Sequence, residues 1–148
     1  MLYAFMKKKY GDLPVVLEQD TEFQKGKHFD DIVSKDIIEL GMNENDPLCM
    51  KVIEKFTEIY GTEVGNAALT HLPSGGIYLV GGVTNGIMDY LTSTPTFMNA
   101  YSSKGRLSET IKNFRIMVVK PNIEVGLLGA QEAARRQMMK AKVAKKPE

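Results

Sequence analysis

Ser74-Gly75-Gly76-Ile77-Tyr78-Leu79-Val80-Gly81-Gly82-Val83-Thr84-Asn85-Gly86 is the stretch whose residue types and spacing could do chemistry. Ile77–Val80 is apolar throughout, as a parallel strand covered on both faces should be. It runs straight into two glycines. In open α/β folds, ligands collect at the carboxyl ends of such strands. Without Cβ atoms, Gly81 and Gly82 would let a flat group such as adenine or ribose lie directly on the main chain. The same pair would also serve a tight turn between strand and helix, and spacing alone leaves both roles open. The segment is not a phosphate loop of the Gly-Lys-Ser/Thr type, because no Lys and Ser/Thr follow its last glycine. It also lacks the G-x-G-x-x-G dinucleotide pattern.

Other reactive residue types are scattered. His28 and His71 each stand without a second ligand at helical spacing, and one cysteine cannot build a structural zinc site. Cys49 has no neighbouring base and falls on an apolar helix face, so it reads as a small buried hydrophobe. The carboxylates lie on helix faces and in turns. Lys104-Gly105-Arg106 could meet a phosphate, and a surface turn explains it equally well. Arg135, Arg136 and Lys140 lie near the end of the last helix, where cations suit the helix dipole. No catalytic residue and no metal ligand emerges.

The elements that must position the glycine pair are mostly helices. The chain has 148 residues, enough for one domain with a real core. Net charge is +1, so no global field recruits nucleic acid or a membrane surface. No apolar run is long enough to span a bilayer, and the single cysteine suits a reducing compartment. Residues 1–11 predict a short amphipathic helix ended by Gly11. Residues 30–41 predict a second, capped by Asp30 or Asp31 and stopped by Gly41. Residues 47 to about 72 predict the longest. Asp46 is its N-cap, Pro47 sits at the first helical position, and apolar residues recur at i+3 and i+4. Gly61, Gly65, Ala67 and Ala68 make its second half small enough to pack tightly on a sheet. Ile116–Val119 predicts a second strand. The stretch between the strands supplies the helical crossover that parallel pairing needs. A last helix covers about residues 126–139, and 141–148 reads as a basic tail.

Gly75–Ile87, then Thr96–Leu107, then Ile116–Arg135 occur in an order and at a spacing that closely resemble the C-terminal end of bacterial-type glucokinases, sugar kinases of the actin and hexokinase superfamily. The Cys-containing helix from Asp46 fits the same family. The resemblance implies an α/β fold: part of a ribonuclease H-like, actin-like ATPase lobe, helix-rich, with a small parallel sheet lacking its first three strands. Residues 1–140 would be this incomplete C-terminal lobe and 141–148 the tail. It implies transfer of the γ-phosphoryl of ATP to the 6-hydroxyl of glucose, with Mg²⁺. Gly81, Gly82 and Val83 would form the adenosine-binding segment, lined by Thr84 and Asn85. The family's catalytic Asp, phosphate loop and sugar-gripping side chains would all precede residue 1. The chain alone would then be inactive, and the metal site would lie outside it. Its open strand edge would pair with the missing N-terminal lobe or with a second copy. Cytoplasm is the implied compartment, and a homo-oligomer the implied full-length form. A non-catalytic nucleotide-binding or assembly module from a split or truncated kinase is the alternative.

Overall fold

The structure of the chain is a computed structural model that describes residues 2–9 and 33–144. Its central axis is a helix of 25 residues, α3 (Pro47–His71), preceded by α1 (Leu2–Lys9) and α2 (Ser34–Glu44). The start of α3 follows from local chemistry. The Asp46 carboxylate accepts the Cys49 N–H at 2.7 Å, and Pro47 occupies the first turn, where its missing N–H costs nothing. The helix ends at His71, with Leu72 in the left-handed region (φ 46°) donating its N–H to the Ala68 carbonyl.

The ends of α2 differ from those expected. Val33 is its N-cap residue, and its N–H is accepted by the Asp36 carboxylate one turn on, at 3.1 Å. Asp30 and Asp31 lie outside the described residues, as does Gly11. Gly41 does not stop the helix. It lies buried inside it, where a Cβ would come within 2.6 Å of Ile53 Cδ1, so its missing side chain serves close contact with α3. Asn45 terminates α2 instead, in the left-handed conformation (φ 54°) that asparagine tolerates.

After α3 come β1 (Ile77–Leu79), α4 (Gly82–Gly86), α5 (Met88–Ser93), α6 (Thr96–Ser102), a 3₁₀ turn (Gly105–Leu107), α7 (Ser108–Ile111) and β2 (Ile116–Val118). The strands pair in parallel, Ile77 opposite Ile116 and Leu79 opposite Val118. β2 is the one neighbour of β1 among the described residues. Coverage on both faces is not observed in the described residues. Leu79 is buried, whereas Tyr78 is 62% exposed.

Two cores form along α3. The first joins Met6, Leu40, Leu48, Cys49 and Val52, binding α1 and α2 to the first half of α3. The second joins Val64, Ala68, Leu79, Phe97, Tyr101 and Ile111, binding the second half to β1, α6 and α7. The small stretch of α3 serves both neighbours: Ala68 shares the core with Leu79 of β1, while Gly61 and Gly65 admit α6. A Cβ at Gly61 would fall on the Phe97 carbonyl oxygen, and one at Gly65 would sit 2.6 Å from that of Tyr101. Aromatic rings continue this contact. Tyr60 meets Phe97 edge-on at 5.6 Å, Phe97 stacks on Tyr101 at 6.4 Å, and the Tyr101 hydroxyl donates to the Ile111 carbonyl at 3.0 Å.

Thr57 is fully buried on α3, and its Oγ1 has no hydrogen-bond partner among the described residues. A hydroxyl in that position carries its desolvation cost without return. Thr57→Val keeps the branched shape and removes the cost. Urea denaturation should show a gain of about 1 kcal/mol, whereas a loss would mean that the hydroxyl is engaged.

The chain divides into two compact units, residues 1–118 and 119–148. The second is dominated by α8 (Val125–Ala144), which carries the helix past the expected end at residue 139. Arg135 and Arg136 both reach back to Glu132, at 2.7 and 2.8 Å, so exposed pairs along α8 account for these cations.

Candidate functional site

Gly81 has φ +128°, a conformation that side-chain-bearing residues rarely adopt, so the hand-over from β1 to α4 needs glycine there. At Gly82 the backbone carries no such demand, and a Cβ at either position would meet nothing within 4 Å. Crowding therefore does not explain the second glycine. The short helix that follows is closed by the Asn85 N–H on the Gly81 carbonyl and the Ile87 N–H on the Val83 carbonyl.

Gly82, Val83 and Gly86 face α2 across an open cleft of about 640 Å³. This lies within the range of small-molecule sites, about 300–1,000 Å³. The helices touch where a Cβ on Gly86 would lie 3.2 Å from Ile38 Cδ1. Gly82 and Val83 thus line a cavity. Gly81 is exposed beside them. Thr84 turns away into the interior, where its hydroxyl lies 3.1 Å from that of Tyr60. Asn85 is half-buried, and its Oδ1 is enclosed without a partner among the described residues.

The opposite wall was not anticipated. It is one face of α2: Ser34, Lys35, Ile38, Glu39, Met42 and Asn43. Its i, i+4, i+8 spacing is visible in the sequence, but nothing there marks Ile38, Met42 or their polar neighbours as a site. Nothing local says that α2 stands across from Gly82.

The Lys104-Gly105-Arg106 turn has a structural use. Gly105 is left-handed (φ +54°), and the Lys104 ammonium donates to the Thr62 carbonyl at 2.9 Å and to Asn66 Oδ1 at 2.6 Å. The turn after α6 is thereby fastened to α3. Bonds from charged donors contribute about 1.5–3 kcal/mol, less where water screens them. Lys104→Met should lower stability by about 1 kcal/mol in chemical denaturation, with a normal circular dichroism spectrum. Full retention of stability would show that water replaces both contacts.

Cys49 is fully buried. Burial first, and then the Asp46 carboxylate, push its thiol far above the ordinary range, which leaves it a poor nucleophile. His71 is exposed at the end of α3, and His28 lies outside the described residues. Among the described residues, no group of three or more His, Cys, Asp or Glu side chains could hold a metal ion. No described helix is long and apolar enough to cross a membrane.

The fold and site together define a helix-rich α/β protein with a ligand-sized cleft where a parallel strand gives way to bare main chain. A family model for glucokinase matches residues 1–137. Among curated relatives, a glucokinase of Synechocystis sp. is 36% identical over 98 residues, covering 66% of this chain and 27% of its own length. One from Marinobacter nauticus is 37% identical over 92 residues, covering 62% and 28%. The crystal structure of a glucokinase from an Antarctic psychrotroph superposes with a TM-score of 0.63 at 21% identity, over 82% of this chain and 33% of that one. The chain belongs to the glucokinase family. It spans roughly 27–28% of the length of the curated relatives named here.

Proposed function

We propose that this chain supplies the nucleoside-holding part of an ATP-dependent kinase that phosphorylates glucose at its 6-hydroxyl. The observation that carries the proposal is the unfilled space beside Gly81 and Gly82, opening on a cleft large enough for a nucleoside. Family membership supports ATP and glucose as substrates. In this proposal the two-stranded sheet is part of a ribonuclease H-like lobe, whose remaining strands would complete the edge of β1. Phosphoryl transfer is mostly positioning and electrostatics around metal and phosphates. Among the described residues no group of three or more His, Cys, Asp or Glu side chains could hold Mg²⁺ by itself. The work of this chain is to hold adenosine. Metal, sugar and proton acceptor are held by other parts of the kinase.

The test has two arms on these 148 residues. Ligand-observed NMR should show saturable, weak ATP binding that Gly82→Val abolishes, because the new side chain enters the cleft. A coupled assay should show no glucose-dependent turnover. Absence of ATP binding at millimolar concentration would remove the nucleoside assignment, and turnover would remove the division of labour.

A further inference from the structure

The cleft has an unassigned wall, and its chemistry is ordered along the helix. Lys35, Glu39 and Asn43 lie four residues apart on α2, with Ile38 and Met42 between them, all bordering the cavity opposite Gly82 and Val83. At 1.5 Å per residue, Lys35 to Glu39 is about 6 Å along the axis and Lys35 to Asn43 about 12 Å. The polar groups therefore form a graded row over an apolar floor.

Lys35 and Glu39 have opposite charges one turn apart, yet neither makes an ion pair or a side-chain hydrogen bond among the described residues. Comparable pairs elsewhere do close: Lys55 with Glu58, Glu109 with Lys112 and Glu132 with Arg135, each at 2.7 Å. Orientation does not separate them, since Lys55 also precedes Glu58; these closed pairs lie three residues apart and Lys35 and Glu39 four. The consequence is a cation and a carboxylate, both exposed, spaced along one cavity and uncommitted.

We propose that this face of α2 reads the nucleotide lengthwise. Lys35 meets a phosphate oxygen, Glu39 accepts hydrogen bonds from the ribose hydroxyls, and Ile38 and Met42 pack the base against Val83 and the bare Gly82 main chain. The proposal rests on the nucleoside assignment above and adds the residues that recognise each part of the ligand. A carboxylate accepts from hydroxyls and repels phosphate, while an ammonium attracts phosphate. Their order along the helix therefore fixes the direction in which the nucleotide lies.

Ligand pairs test each contact separately on the 148-residue chain. Lys35→Gln should weaken ADP about fivefold and leave adenosine unchanged. Glu39→Gln should weaken adenosine about fivefold and leave 2′,3′-dideoxyadenosine unchanged. The chain has no tryptophan, so Met42→Trp places a single fluorophore on the floor. Its emission should change saturably with adenosine and not with tripolyphosphate. Circular dichroism confirms that each variant is folded. If Gly82→Val abolishes adenosine binding while the α2 variants change nothing, or change every ligand equally, the lengthwise contacts are wrong and the nucleoside site stands. If no adenine compound binds the unaltered chain, both fall.

Discussion

Gly61→Ala should lower the stability of the chain by about 2 kcal/mol, although alanine is the better helix former. Gly61 lies mid-helix in α3, and relieving a glycine there should by itself contribute about 1 kcal/mol. The opposing effect is larger. The added Cβ falls on the Phe97 carbonyl oxygen and lies 3.1 Å from the Ala100 Cβ. The obstacle is backbone, so no rotamer change relieves it, and α6 must move. Overpacking costs typically about 1–3 kcal/mol. Here the shift also disturbs the stack of Tyr60, Phe97 and Tyr101, which takes the cost to the upper end of that range, about 3 kcal/mol, and leaves a net loss of about 2. Ala67→Gly, at an exposed position of the same helix, isolates the intrinsic term and should lose about 1 kcal/mol. Urea denaturation of both variants decides the matter. If Gly61→Ala gains stability, α3 and α6 are not in backbone contact, and the second core is built differently.

The same glycine shows how far the sequence could be read. Its smallness announced a close approach, but the partner is α6, some 36 residues on, and nothing local names it. The start of α3 was fully legible because Asp46 and Pro47 act on their own helix. The end of α2 was not. Gly41 carries the ordinary signal of a stop, yet its absent side chain is used by Ile53 of another helix, and Asn45 does the stopping. Both strands and their parallel pairing follow from apolar runs and a helical crossover. Which faces are covered depends on what packs there, and exposed Tyr78 departs from expectation. The candidate site divides in the same way. Gly81 and Gly82 stand out as main chain without side chains, whereas the facing wall exists only once α2 is laid across from α4.

Alkaline pH should destabilise the chain through Cys49, and Cys49→Ala should remove that contribution. The thiol is buried among Met6, Leu40, Leu48 and Val52. Burial disfavours the thiolate, and the adjacent Asp46 carboxylate adds repulsion, so the folded-state pKa is raised. In the unfolded chain the thiol titrates near 8.5. Below that pH the thiol is protonated in both states, and the full stability is present. Above it the unfolded chain ionises while the folded chain does not, and stability falls as pH rises. The limiting slope for one such group is about 1.4 kcal/mol per pH unit. At pH 10.5 the loss, measured from the plateau well below pH 8.5, is therefore about 2.7 kcal/mol. Tyr101, whose pKa burial also raises, contributes in the same direction, but equally to both proteins. Removing the sulfur adds an offset independent of pH. The difference in unfolding free energy between the unaltered chain and Cys49→Ala should thus shrink steadily across this window, with a thiol-specific reagent labelling Cys49 only at the rate of unfolding. Parallel stability curves, or rapid labelling of the folded chain at pH 8, would mean that the thiol reaches water and that the first core does not close over it.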